Sequence, residues 1–343
     1  MGRGERVLPG LWRLRLPVSV PGVPHCNAWA MTAGDGLVLV DCGMGGAGSL
    51  HELERAMDQV GLAPGDVRLL ACTHAHPDHA GLAATLQELT GCELWLHPRH
   101  EHALVDPEDR EAVLAQKIEM ARQSGVPEAP LQRWAESRRA EPSGFSGPLA
   151  PDRELVDGVT VDTDLGAWTV YETPGHAPSH VVFHQPERRL LLSGDHVLGR
   201  TSLYFDHGWT PDPVGEFLAS LDIVARLDVR LTLAGHARPF TDLAGHIDAN
   251  RALVARRLAA ILAALRDYGD MTAHDLLPVV YGDEYMPWKH AWLLTKMLCY
   301  LQHLDRLGRI RSVEDEPTRW APAEGAAEGA DARAAAAVPP DRP

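Results

Sequence analysis

The stretch ACTHAHPDHAG, Ala71 to Gly81, constrains this chain more than any other part of it. It crowds His74, His76, Asp78 and His79 around Pro77. It begins where the apolar run VRLLA ends, which predicts a short buried strand. It finishes in DHAGLAATLQELTG, whose spacing predicts one helix closed by Gly91. Residues two apart on an extended chain face the same way, so His74 and His76 share a side. Asp78 and His79 sit on the turn entering the helix, which Pro77 stiffens. Neutral imidazole and carboxylate are ligands for zinc and related divalent ions. A strand ending in this turn is therefore expected to carry a metal at the sheet's rim.

Three later segments repeat that arrangement. TPGHAPSH sets His176 after the strand-like WTVYET, LLLSGDHVL sets Asp195 after a second apolar run, and LTLAGHARPF sets His236 after a third. Each polar residue follows an apolar strand and a glycine. One such histidine would more often be structural; several strand ends with the same chemistry point to one rim.

The rest of the pattern fits a mixed α/β body. LWRLRLPVSV (Leu11 to Val20) alternates as a strand, and NAWAMTAGDGLVLVDCG reads as two strands about Gly34-Asp35-Gly36. GSLHELERAMDQVG spaces Leu50, Leu53, Met57 and Val60 for a helix, and CELWLH is another strand. This alternation packs helices on a sheet. Between Pro98 and Pro151 two amphipathic helices, EDREAVLAQKIEMARQSG and APLQRWAESRRAE, form a helical insertion (about 98–151) expected to roof the pocket. Strands resume with HVVFHQ and RLLLSG, and the helix PVGEFLASLDIVARL precedes VRLTLAG. From 248 onward come three helices, the second with Thr272 as N-cap and Gly282 as stop, and RIRSVEDEPTRWAP as a two-stranded wing. The expected division is a first domain over 1–247, a C-terminal helical, winged-helix-like domain over 248–322, and a disordered tail over 323–343.

THAHPDHAG, PGHAPSH, SGDH and AGH, with VDCG near the start, resemble the metallo-β-lactamase-fold superfamily of metallohydrolases over roughly residues 8 to 245. The resemblance implies a four-layer αββα sandwich with a dinuclear site on its rim. It implies that His74, His76 and His176 hold one divalent metal ion, that Asp78, His79 and His236 hold a second, and that Asp195 bridges both. Zinc is the expected metal, and iron or manganese suits the same ligands. Asp41, at the end of LVLVDCG, takes the place of an aspartate that orients a metal-bound histidine. His180 and His196, beside ligands, are candidates for the same supporting role, and Tyr204 in TSLYFDHGW for substrate contact. The chemistry implied is hydrolysis by a metal-bridging hydroxide, because coordination lowers the pKa of water from ~15.7 to ~7. Asp78 would also guide a proton at the leaving group. No protein nucleophile is needed, and no Gly-x-Ser-x-Gly elbow is present. The C-terminal region resembles that of a lactamase-like, hydroxyacylglutathione hydrolase-like branch related to endoribonucleases and also known for small thioester and ester substrates.

The expected function is therefore metal-dependent hydrolysis of a small thioester, ester or lactone. A metal-dependent endoribonuclease and a mononuclear iron dioxygenase are the alternatives. Nucleic acid is disfavoured as a partner by a formal net charge of -15, from Lys+Arg 32 against Asp+Glu 47. From Arg251 to Arg311 the balance is +3, nine Lys/Arg against six Asp/Glu, yet the third helix is dominated by Leu, Met and Trp and reads as a packing or homodimer surface. A dioxygenase would not use the second ligand group.

GMGGAG (Gly43 to Gly48) formally matches a dinucleotide fingerprint. The hairpin before it and the His74 turn after it argue against a parallel βαβ start. His97, His100 and His102 read as a solvated loop, and Arg122, Arg133, Arg138 and Arg139 as facing solvent. Five scattered cysteines without C-x-x-C spacing suit a reducing compartment, with Cys42 and Cys72 as small buried residues. The chain's first residues show no signal peptide and no apolar stretch is long enough for a membrane span, so a cytoplasmic location and no membrane partner are expected.

Overall fold

Apolar runs cut by glycine turns build the first sheet. The computed structural model describes residues 1–20, 22–103, 106–200, 202–285, 290–313 and 316–323. The first sheet runs in the order β1 (Arg3–Leu8), β2 (Leu11–Val20), β3 (Val23–Ala33), β4 (Gly36–Val40), β5 (Val67–Ala71), β6 (Glu93–Leu96) and β7 (Arg153–Glu154). The first four pair antiparallel, with Gly34 at φ 62 making the β3–β4 turn. From β4 onward the pairing is parallel, so each step needs a crossover. Helix α1 (Ser49–Asp58) supplies the first, α2 (Pro77–Ala80) and α3 (Ala83–Thr90) the second, and the insertion helices α4 (Pro107–Gln123) and α5 (Glu128–Ala140) the third. The second sheet joins β8 (Thr160–Thr163), β9 (Gly166–Glu172), β10 (Val181–Gln185), β11 (Leu190–Gly194) and β12 (Leu231–Ala234) in reverse order of the chain. Helix α6 (Pro213–Val224) makes its one parallel crossover, β11 to β12.

Three apolar cores hold these elements. Trp29, Val38 and Val40 of the first sheet meet Trp168, Phe183 and Leu192 of the second. Leu53 and Met57 of α1 and Leu86 of α3 cover Leu39 and Leu70 of the first sheet. Phe217 and Leu221 of α6 cover Val182 and Leu191 of the second. Burying a side chain of this size contributes about 1.5–3 kcal/mol each, so the strands cannot slip by one residue without turning these groups to water.

The expected single helix from Asp78 to Gly91 is broken after Ala80. Backbone groups of Gly81 and Leu82 turn outward instead, Gly81 O accepting from Ser146 N (2.8 Å) and Leu82 N donating to Gly43 O (3.2 Å). The glycine-rich run after β4 serves this contact: Gly45 N donates to Gly144 O (2.6 Å), and a Cβ on Gly45 would sit 2.3 Å from Ser146 N. The run is a packing seat for the end of the insertion. Strand β1 was not expected, because its charged, half-exposed sequence RGERVL carries little apolar pattern; it is an edge strand.

The C-terminal region comprises α7 (Leu243–Tyr268), α8 (Ala273–Tyr281), α9 (His290–Arg306) and a small sheet of β13 (Met271–Thr272), β15 (Arg319–Pro322) and β14 (Ile310–Val313), in that order. The two expected wing strands pair, and β13 adds a third. Asp242 caps α7 by accepting from Gly245 N, so this helix starts early and crosses the expected boundary at 247/248. Thr272 caps α8 by accepting from Asp275 N. The insertion leans on this region: His274 N donates to Ser124 O (3.0 Å) and Thr318 N to Gln123 O (2.8 Å). Ala121, Val126 and Leu131 share one core with Leu276 and Leu293. The apolar side of the insertion, expected to roof the pocket, is covered by the C-terminal helices. Lys289 and residues 324–343 of the expected tail lie outside the described residues. No helix among the described residues is long and apolar enough to cross a membrane.

Candidate metal centre

Five strand ends converge on one rim. Asp41 follows β4, the turn of His74 to His79 follows β5, His176 follows β9, Asp195 follows β11 and His236 follows β12. The sheets are stitched there by Val181 N donating to Thr73 O (2.8 Å) and Asn27 N to Gly235 O (2.7 Å).

His74, His76 and His176 form one group whose nitrogens could share an ion; Asp78, His79 and His236 form a second. Asp195 lies between them, with Oδ2 3.7 Å from His176 Nε2 and 3.1 Å from His236 Nε2, and Oδ1 3.5 Å from His79 Nε2. Asp78 Oδ2 is 3.4 Å from His236 Nε2 and 3.8 Å from His79 Nε2. The seven side chains singled out in the sequence therefore meet at one place.

The outer nitrogen of every ring in these two groups is held by the protein. His76 Nε2 donates to Asp206 (2.9 Å), His176 Nδ1 to Tyr204 O (3.2 Å), and His236 Nδ1 to His25 O (2.8 Å). His79 Nδ1 donates to Asp41 Oδ2 (2.8 Å), and His74 Nδ1 to Thr73 Oγ1 (3.0 Å), whose own hydroxyl turns to Asp41. A proton on the outer nitrogen of a neutral ring leaves a bare lone pair on the inner one. His74 Nε2 and His176 Nε2 then face His76 Nδ1 at 2.9 and 3.1 Å. Tetrahedral zinc with Zn–N of 2.0–2.1 Å spaces its nitrogens about 3.3 Å apart. Burial and the neighbouring imidazoles hold His74 well below the usual histidine range, and the same causes bring His176 down to about 4. Burial opposes charge on His79 too, but Asp195, Asp41 and Asp78 outweigh it and raise its pKa to about 9. Burial likewise disfavours ionised Asp195, and His236 and His79 reverse that, keeping it ionised.

Two buried atoms at the centre, His79 Nε2 and Asp195 Oδ1, have no hydrogen-bond partner among the described residues. They face each other at 3.5 Å, an ion contact without a hydrogen bond. A divalent cation in each group would satisfy both, so the donor set fits two metal ions.

Supporting residues fix the rim. Asp41 is buried in the left-handed region at φ 63 and accepts from Thr73 N (2.7 Å) as well as His79. His180 is buried; its Nε2 accepts from Asp195 N (3.1 Å), so its Nδ1 donates to Thr173 Oγ1 (2.8 Å). His196 lies one ring further out, against His180 and Phe217. Tyr204 is half-buried at the edge of the first group, its ring 5.9 Å from His76 and 5.8 Å from His176.

The sequence did not disclose several of these supports. Asp206, two residues past Tyr204, holds His76. His102 is buried, its Nε2 2.7 Å from Ser179 Oγ and its Nδ1 3.4 Å from Asp206, and His97 is buried against Glu172 at 2.6 Å. The solvated-loop expectation is corrected for both, because carboxylates across the fold receive them. The His76, His102 and Asp206 trio could also bracket an ion, but its atoms already have protein partners, so it reads as a buttress. Buried Arg13 binds Asn27 Oδ1 (2.8 Å), and Asn27 Nδ2 donates to Ala234 O (2.8 Å) and Ala237 O (3.0 Å), which fixes the His236 turn. Arg122, Arg138 and Arg139 form exposed ion pairs with glutamates, so they face solvent as expected.

Gly235 offers a sharp test of this packing. A Cβ there would lie 2.3 Å from Asp195 Oδ1 and 2.8 Å from His79 Cε1. Gly235→Ala is expected to weaken metal binding about 10–100-fold, the range for disturbed ligand orientation. Competition with a chelating dye measures it; unchanged affinity would show that the carboxylate has room to move.

Comparison with known proteins gives the following. The family model described as "Metallo-beta-lactamase superfamily" matches residues 21–236. A probable metallo-hydrolase of Bacillus subtilis, YqjP, is 28% identical over 271 residues, spanning 74% of this chain and 81% of the relative. A protein of Gallus gallus named acyl-coenzyme A thioesterase MBLAC2 is 26% identical over 227 residues, 63% of this chain and 74% of the relative. The crystal structure of a metallo-beta-lactamase family protein of Thermus thermophilus superposes with TM-score 0.77 at 27% identity, covering 92% of this chain and 100% of that one.

Proposed function

The chain belongs to the metallo-beta-lactamase superfamily, and from that premise we propose a dinuclear metal-dependent hydrolase of small acyl compounds, thioesters foremost. One observation carries the reading. Inner nitrogens of His74, His76 and His176 face one another with their outer nitrogens already committed, beside His79 Nε2 and Asp195 Oδ1, which have no hydrogen-bond partner among the described residues. Such a set suits cations lodged between the inner atoms. His74, His76 and His176 would hold one ion and Asp78, His79 and His236 the other, with Asp195 between them; zinc suits the nitrogen-rich set. When bound, such ions supply an acidified water and a Lewis acid for the substrate carbonyl. Asp41, Asp206, Thr73 and the Tyr204 carbonyl keep the rings turned inward. Asp78, the more exposed member of its group, would guide a proton at the leaving group.

Two sheets with helices on both outer faces support the four-layer αββα description. Three helices with a small sheet support a winged-helix-like module over 248–322. Thioesterase chemistry in a similar protein favours a thioester over a phosphodiester. So do the basic residues of the C-terminal helices, of which Arg251, Arg257 and Arg266 are tied to acidic neighbours. Phosphate contacts would have to compete with these acidic neighbours.

The protein loaded with zinc is expected to hydrolyse a simple acyl thioester in proportion to bound metal, up to two ions per chain. Chelation and His76→Ala should each remove that activity, and an RNA oligonucleotide should stay intact. Hydrolysis that survives full chelation would contradict the reading.

A further inference from the structure

The C-terminal helix α9 comes within one ring of the candidate metal centre at Trp292. Trp292 stands near the start of α9 and is 39% exposed, although its neighbours Leu293 and Leu294 are buried. Its ring lies 6.1 Å from that of Tyr204, and Tyr204 in turn borders His76 and His176. Trp209 flanks His102 at 6.2 Å, and His102 borders His76 at 5.4 Å. A half-exposed indole thus stands one ring away from the first group of candidate ligands.

Both sides of this contact are held firmly. The backbone at Tyr204 is anchored because its carbonyl receives His176 Nδ1, and its ring lies against those of His76 and His176. Helix α9 is fixed on the same loop: Tyr300 packs on Phe205 at 5.7 Å, and His303 Nδ1 donates to Asp212 Oδ1 (2.9 Å). Pre-set aromatic side chains bind apolar groups with little loss of side-chain freedom. An aromatic surface of this kind beside a polar centre is the arrangement expected of a small-molecule site.

We infer that Trp292 and Tyr204 form the wall that receives the acyl part of the substrate, so that the preferred compounds are esters or thioesters of apolar carboxylic acids, medium-chain or aromatic. The C-terminal module then sets specificity. This rests on the acyl-hydrolase reading for its substrate, while the wall itself is tested by binding alone.

Two measurements on the zinc-loaded full chain separate the two ideas. Calorimetric titration with octanoate and with acetate should show octanoate binding about tenfold or more tightly, from the apolar area covered. Trp292→Ala should bring the two within about twofold, and Trp292→Phe should keep most of the preference. The ratio of kcat/KM for octanoyl over acetyl thioester should follow the same order. A variant that merely folds poorly lowers both substrates together and leaves the ratio unchanged, which overturns the wall. Equal binding of octanoate and acetate by the wild type overturns it as well. If no thioester is hydrolysed but octanoate binding still depends on Trp292, the wall stands and the hydrolase reading falls.

Discussion

Asp195→Ala is expected to cut metal content from two ions per chain to one or none and to lower kcat/KM for a thioester by about a thousandfold or more. The carboxylate of Asp195 lies within 3.1 to 3.7 Å of His79, His176 and His236, spanning both ligand groups. Two dications in one pocket would repel each other; Asp195 is the negative charge between the two groups, and Asp78 adds a second on the His79–His236 side. At 4 Å and an effective dielectric near 20, one unit charge pair is worth about 4 kcal/mol. Losing it beside each ion removes several kcal/mol of binding. Three decades in rate correspond to about 4 kcal/mol. The backbone should hold, since His180 grips the amide of residue 195 rather than its side chain. Elemental analysis and steady-state kinetics test this together; two ions and activity within tenfold of wild type would contradict it.

Asp41→Asn should weaken metal binding about 10–100-fold and lower stability by about 1–3 kcal/mol. The position is in the left-handed region, at φ 63, which asparagine tolerates as well as aspartate does. The substitution therefore isolates chemistry from backbone strain. Asp41 receives three donors: Thr73 N, Thr73 Oγ1 and His79 Nδ1. An asparagine has one carbonyl oxygen and an amide that donates. One donor must then face another, or His79 must move its proton to Nε2, the atom the second ion needs. Chelator competition and thermal unfolding check the two effects, and near wild-type affinity would remove Asp41 from the metal's support.

The residues most legible in the sequence were those whose chemistry is dense. His74, His76, Asp78 and His79 announce themselves within one turn, and His176, Asp195 and His236 each follow an apolar run. Asp41 was legible as a strand-end aspartate. The supports were not. Asp206, His102, Ser179, Arg13 and Asn27 act across 77 to 210 positions of chain in several cases, and no local pattern marks such pairs. The break between α2 and α3 was hidden for the same reason, because Gly81 gives its carbonyl to Ser146 rather than to its own helix. The insertion was legible as helices, but its amphipathic pattern could not say what covers its apolar side. The covering Leu276 and Leu293 lie far along the chain.

Anomalous diffraction from zinc-soaked crystals tests the central claim most directly. Two peaks per chain are predicted, one about 2.0–2.1 Å from His74 Nε2, His76 Nδ1 and His176 Nε2, the other bound by Asp78, His79 and His236, with Asp195 reaching both. A chain that takes up no zinc at these side chains, or only one ion with His79 Nε2 left unbound, would contradict the account.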